Sequence, residues 1–286
     1  MRPYEFADFE TAIQQASYQI QYRSSVVHSA RWQGSDIGQR PEMATHEITH
    51  ISFAVPMSRG LEDLDHYRSS IRPNLPWADN HFEERVCGSP INPGVEWENW
   101  PYNKSAATFL DSGGKFNHNY MERYWPKLAN KVGEATSTPE DFKGALEKYN
   151  INTFDFRFGI RYDYGDLADV VKLLAEDPYT RQAYLPVWFP EDTGGGSKRA
   201  PCTIGYHFLM RDGKLDINYH IRSCDFVRHF RDDIYLTIRL ALWVINECSK
   251  LDDRWKDVKP GKFLMQIGSL HIFRNDFNAL YPSQKI

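Results

Sequence analysis

Cysteine is scarce in this chain of 286 residues: Cys87, Cys202, Cys224 and Cys248 are the four, and none sits in C-x-x-C spacing. That spacing supports neither a disulfide framework nor a zinc ribbon, and free thiols point to a reducing compartment. Long apolar runs are missing as well. Nothing approaches the roughly 18 residues that span a bilayer, and the opening MRPYEFADFETAI has no signal-like apolar stretch, so a cytoplasmic protein is expected. Positive charge is not in excess either. Lys and Arg number 34 against 38 Asp and Glu, for a net charge of -4. Without a basic run, counterion release gives polymeric DNA or RNA little to bind to. Neither G-x-x-x-x-G-K-[ST] nor G-x-G-x-x-G occurs, and GGGSKR (194–199) has a phosphate loop's glycines at the wrong spacing, so it reads as a surface loop.

What is present is aromatic. The 17 Phe, 16 Tyr and 8 Trp, with 41% hydrophobic residues overall, describe a globular core. The length fits one large domain, 1–286, with an insertion around 127–150. Residues 8–22 have the spacing of an amphipathic helix, and Ile48 to Val55 alternates as a strand. The stretch 56–118, rich in Pro, Asn and Trp, reads as aromatic-packed loops around a short helix, Trp77 to Val86. Thr138 and Pro139 are placed as N-cap and first residue of a helix. Asp166 to Glu176 is a helix that stops before Pro178, and 183–189 reads as a strand. Thr203 to Met210 and Lys214 to Ser223 flank an Asp-Gly pair that favours a type I′ hairpin. Asp232 to Cys248, apolar almost all round, is a buried helix, and 263–267 is a strand. The fold class expected is α+β: a large mixed sheet packed by long helices.

His46-Glu-Ile-Thr-His50 matches H-E-x-x-H letter for letter. The zinc-binding form needs a helix, where i and i+4 share a face. Here the flanks are β-branched and alternate, and in a strand the two imidazoles stand roughly 13 Å apart at about 3.3 Å per residue. The pattern is read as histidines along a strand, and no metal is expected.

Cys202, in RAPCTIGYH, is either a small hydrophobe in a core or a nucleophile. The basic SKR before it favours the second, since nearby cations lower a thiol pKa and yield the attacking thiolate. Twenty residues on come RSCD (222–225) and FRDD ending at Asp233, and later GSLHIF (268–273). The order PC, RSxD, a polar residue eleven positions after that arginine, then G-x-x-H-[IV] resembles the thymidylate synthase superfamily. DLADVVKLLAEDPYTRQ and FNHNY extend the resemblance, which covers roughly residues 115 to 278.

The resemblance implies a homodimer formed through the sheet, a pyrimidine nucleoside monophosphate as substrate and 5,10-methylenetetrahydrofolate as co-substrate. Cys202 is then the nucleophile that adds to C6 of the base. Arg222 and Ser223 match the phosphate binders, and Arg222 offers a fork suited to phosphate oxygens. Arg181 matches an arginine lent across the dimer, although its neighbour is Gln182 where the family has a second arginine; Arg31 is a possible substitute. Asp225 fits a carboxylate that orders folate and water, and Tyr120 the active-site tyrosine. His271 fits a sugar-hydroxyl contact, with Phe273 in place of the family's tyrosine. The glutamate that orders water falls on Glu83 or Glu84, about 100° apart on a helix; Glu83 is the choice made here.

Two positions bear on the branch. Thr203 after the cysteine, where synthases have His, resembles the viral deoxycytidylate hydroxymethylases. Asp233 stands where synthases use Asn to read uracil, with Asp232 next door the alternative that the register disfavours. Cytosine presents an N3 acceptor and an N4 donor, which suit a carboxyl group sharing a proton with N3. The expected activity is conversion of dCMP to 5-hydroxymethyl-dCMP, in the cytoplasm of a virus-infected cell. The alternatives within the family are a dUMP enzyme, a dCMP methylase and a CMP enzyme; outside it stands a catalytically silent nucleotide-binding dimer.

Overall fold

In the computed structural model, which describes residues 3–128, 165–193 and 199–284, Asp8 caps the first helix by accepting from Thr11 N at 2.7 Å. The chain runs through β1 (Tyr4–Glu5), α1 (Phe9–Arg23), β2 (Ser25–Val27), the small hairpin of β3 (Arg31–Trp32) and β4 (Ser35–Asp36), and the long β5 (Thr45–Pro56). Helices α2 (Leu64–Ile71), α3 (Trp77–Arg85), α4 (Asn103–Ala107) and α5 (Tyr120–Tyr124) follow. Then come α6 (Leu167–Glu176), β6 (Tyr184–Pro186), β7 (Thr203–Arg211), β8 (Lys214–Asp225), α7 (Phe230–Leu251), β9 (Lys259–Phe273) and α8 (Arg274–Leu280).

The main sheet has the order β1-β5-β9-β8-β7-β6, with β2 also on β5. The β1–β5 and β8–β9 pairs are parallel and the others antiparallel, so the sheet is mixed as expected. Parallel neighbours need a crossover, and α7 supplies it between β8 and β9. Alternation sets which face is covered. Leu215, Ile217, Tyr219 and Ile221 of β8 and Phe263, Met265 and Ile267 of β9 join the core with Phe230, Ile234 and Ile238 of α7. On the opposite face Arg222, Gln266 and Ile204 are exposed and His207 and His220 are half-exposed.

The type I′ turn forms as its Asp-Gly pair predicts, Asp212 and Gly213 both having positive φ (50° and 69°). Asp166 and Asp169 cap α6 reciprocally. Two strands differ from expectation. The one read over 183–189 pairs only over Tyr184–Pro186, because Val187 N and Trp188 N both turn to the Ile204 carbonyl at the bulge between Thr203 and Gly205. The one read over 263–267 extends to Lys259–Phe273. Its middle contains Gly268, where a Cβ would come within 2.7 Å of the Arg222 carbonyl, so the glycine that weakens the sequence signal is what lets β9 approach β8. His46 and His50 lie on β5, and His46 is buried and stacked on Phe277 at 3.6 Å. The helix read at Thr138, the insertion around 127–150 beyond Leu128, and Gly194 to Lys198 of the glycine-rich loop lie outside the described residues. No helix among the described residues is long and apolar enough to cross a membrane. No group of three or more His, Cys, Asp or Glu among them could hold a metal.

Candidate active site

Cys202 stands just before β7, after Pro201, and lines a cavity between the ends of β7 and β8, α3, α5 and the start of α7. Its backbone is pinned from β8. Arg222 N donates to the Cys202 carbonyl at 2.9 Å, and the Arg222 side chain donates from Nε to the Pro201 carbonyl (2.8 Å) and from Nη2 to that of Ala200 (3.0 Å). Burial pushes the Cys202 thiol above its ordinary pKa, as do Asp233 and Asp225, while Arg222 and Arg199 pull it down. The unliganded thiol is therefore held protonated, and the two arginines stabilise the thiolate once it forms. Arg199 lies over the rings of Phe109 and Phe116 at 5.0 and 6.0 Å. Its backbone carbonyl accepts from Asn117 Nδ2 at 2.6 Å.

Thr203 follows at the first position of β7, fully buried, with its hydroxyl 3.0 Å from the Tyr120 hydroxyl and 2.9 Å from that of Tyr219. Tyr219 in turn bonds the carboxyl of Asp233. A line of hydroxyls thus joins the residue beside Cys202 to the start of α7. Tyr206 stacks on Tyr219 with centroids 5.0 Å apart and takes a hydrogen bond from Tyr124 (3.1 Å), which completes an aromatic floor.

Asp233 lines the cavity, and burial pushes its carboxyl up to about 7. The guanidinium of Arg85 opposes that rise and Asp232 adds to it; the Cys224 thiol, 3.6 Å from Oδ2, and Tyr219 also lower it. Asp232, its neighbour, is engaged by Asn74, which donates from N and Nδ2, both at 2.8 Å. Both aspartates line the cavity; the carboxylate of Asp232 is taken up by Asn74 and Trp100, whereas Asp233 bonds Cys224 and Tyr219 of β8.

The choice of Glu83 is corrected. Glu83 points away from the cavity and pairs with Arg239, whereas Glu84, one residue on and a hundred degrees round α3, lines it. Glu84 accepts from Glu96 N at 3.0 Å and contacts His81 Nδ1 at 3.2 Å, contacts that hold its pKa low against burial. A Cβ at position 94 would collide with this carboxylate, which explains Gly94 at the cavity wall.

Other expected residues are placed less uniformly. Ser223 and Tyr120 line the cavity. Asp225 does not: one oxygen accepts from Val227 N and Arg228 N and the other from Arg228 Nη1 at 2.6 Å, so it builds the turn into α7. His271 lies beside Asp225 in the β8–β9 register, off the cavity wall, and Phe273 packs edge-on against it at 5.8 Å. Arg181 is exposed at the sheet edge, where its carbonyl accepts from His207 Nε2 at 3.0 Å, and its side chain does not line this chain's cavity. Arg31 is exposed on the small hairpin.

Several wall residues carry no signal in the sequence. Trp77, Trp97, Trp100 and Phe116 form an aromatic side, with Trp100 stacked on His229 and Trp77 on His81, both at 4.8 Å. Trp77 heads α3, and the other three come from segments whose Pro and Asn content hides which aromatics converge. Such a wall fits a flat heteroaromatic ring of the kind a folate carries.

A thiol at a strand start, beside a cavity that also holds a protonatable carboxyl and an aromatic wall, makes a site suited to a flat, hydrogen-bonding ligand. The chain belongs to the thymidylate synthase family, whose model matches residues 94–284. It is 26% identical over 182 residues to the deoxyuridylate hydroxymethyltransferase of Bacillus phage SP01, an alignment that covers 62% of this chain and 39% of that relative.

Proposed function

We propose that the chain is a pyrimidine-nucleotide C5 hydroxymethyltransferase that uses methylenetetrahydrofolate and takes dCMP. Cys202 loses its proton and its sulfur bonds to C6, so the C5–C6 electron pair becomes nucleophilic at C5. The folate would supply a one-carbon unit at the formaldehyde level to C5, its two nitrogen–methylene bonds breaking so that tetrahydrofolate leaves with both electron pairs. Loss of the C5 proton and addition of water leave the hydroxymethyl group, and breaking the C6–sulfur bond returns the thiolate. Glu84 and the Tyr120 hydroxyl are the groups suited to hold water and move protons over the base, with Arg222 and Ser223 at the phosphate. Arg181 and the half-exposed sheet face beside it suit a second copy, whose cavity Arg181 would complete.

The observation that carries dCMP is the Asp233 carboxyl, pushed up to about 7 at the cavity wall. A carboxyl that holds a proton near neutral pH can donate to cytosine N3 while accepting from N4, and N3 is basic enough to share that proton. Uracil offers only weakly basic O4 to the same proton. The second reading, dUMP, is favoured by the phage relative, a deoxyuridylate hydroxymethyltransferase. The test is Asp233→Asn: the ratio of kcat/KM for dCMP over dUMP should fall by about 100-fold or more. An unchanged ratio assigns base reading to another residue.

A further inference from the structure

Arg85 ends α3, is 5% exposed, and forms no ion pair among the described residues. Burying a guanidinium without an anion costs several kcal/mol, so what surrounds it is informative. Its Nε donates to His81 Nε2 at 3.0 Å, its Cζ lies 4.1 Å above the centre of the Tyr120 ring, and it bonds the Tyr124 hydroxyl. Trp125 Nε1 fixes the Arg85 backbone by donating to its carbonyl at 2.9 Å. An arginine can only donate, so His81 Nε2 is the acceptor; the ring proton is on Nδ1, aimed at Glu84 Oε2 3.2 Å away. Glu84, His81 and Arg85 form a directed chain along one side of α3. Trp77 stacked on His81 keeps the imidazole in plane.

Within the same cavity stands Asp233. We propose that Arg85, oriented by His81 and Glu84, is the fixed counter-charge of Asp233, a positioning residue that keeps this carboxyl able to give up and regain a proton against a bound base. Arg199, the other guanidinium on the cavity wall, is engaged over the Phe109 and Phe116 rings, His229 is kept neutral by burial with its ring stacked on Trp100, and the remaining groups facing Asp233 carry no positive charge. Asp232 on its own helix is acidic and occupied by Asn74. Tyr219 and Cys224 come from β8, Tyr120 and Tyr124 from α5 and Cys202 from the start of β7, all neutral at rest and held so by burial. With the cation removed, burial and Asp232 act on Asp233 unopposed by it, and the carboxyl keeps its proton to higher pH.

The electrostatic part stands without the substrate assignment; its consequence for turnover rests on Asp233 as base reader. The experiment titrates the full chain, unliganded, by infrared spectroscopy. The protonated carboxyl stretch is followed with pH and assigned to Asp233 by its loss in Asp233→Asn. In Arg85→Gln the midpoint should rise by about one pH unit or more, and the basic limb of kcat/KM for dCMP, where the carboxyl loses the proton it donates to N3, should move with it. Arg85→Lys, which draws the charge back and loses the bond to His81, should move it the same way by less, and serves if the Gln variant does not fold. An unmoved midpoint in whichever variant folds overturns the proposal whatever the substrate. A midpoint that moves while the dCMP to dUMP ratio is indifferent to Asp233→Asn upholds the counter-charge and removes the base-reading role.

Discussion

Replacing Cys202 by serine removes the sulfur that faces the cavity and leaves its walls intact. Exchange of the C5 hydrogen with solvent and turnover should both drop by more than about 10³-fold, with nucleotide binding still measurable by calorimetry; retained exchange would sink the nucleophile role. Asp233 makes a second prediction through stability. Its carboxyl has the ordinary aspartate value of about 3.8 in the unfolded chain and is pushed up to about 7 by burial in the folded one. Between those values the folded state holds more protons, so stability falls as pH rises through that window, by up to about 1.4 kcal/mol per pH unit. Asp233→Asn abolishes this slope. Its stability relative to the parent, measured by urea unfolding, should increase from pH 5 to pH 8, and a constant difference would mean that the carboxyl is not protonated in the fold. These candidates were legible because Cys202, Arg222, Ser223 and Asp233 fall at fixed offsets along one hairpin and the helix after it. Arg85 was not: in HFEERVCG the acids draw attention, and nothing in the string shows that the arginine is the buried member.

Among the elements, α3 shows where periodicity stops informing. A helix over Trp77 to Val86 can be read from spacing, but the rotation of that helix about its axis decides whether Glu83 or Glu84 meets the substrate, and rotation is set by α7 and the Trp97 loop packing on either side. Glu84→Gln should lower kcat by about 100-fold. Glu83→Gln should leave kcat within about twofold and cost at most about 1 kcal/mol, since its pair with Arg239 is largely solvent-exposed on the glutamate side. The reverse pattern would return the assignment to Glu83. Strand β9 was under-read for a related reason: Gly261 and Gly268 break the apolar alternation where close approach to β8 requires them. The aromatic wall from 77 to 116 was hidden more completely, because convergence of Trp77, Trp97, Trp100 and Phe116 is a property of loop paths and not of spacing.

At the scale of the whole molecule, a sheet with one face under α7 and the other carrying exposed Ile204 and half-exposed His207 and His220 suits a two-fold partner. If Arg181 completes the neighbouring cavity, Arg181→Ala and Cys202→Ser are each inactive for different reasons. Mixed and allowed to exchange, they form heterodimers with one intact site of two. Half of the dimers being mixed, activity should return to about a quarter of the parent's, and no return would place Arg181 outside the site.

The central claim is tested most directly by one incubation: the protein with methylenetetrahydrofolate and equal dCMP, dUMP and CMP, products resolved by mass while absorbance follows dihydrofolate. The account predicts hydroxymethyl-dCMP with no dihydrofolate. A methylated product with dihydrofolate formed in step, or hydroxymethyl-dUMP in preference to the cytosine product, would contradict it.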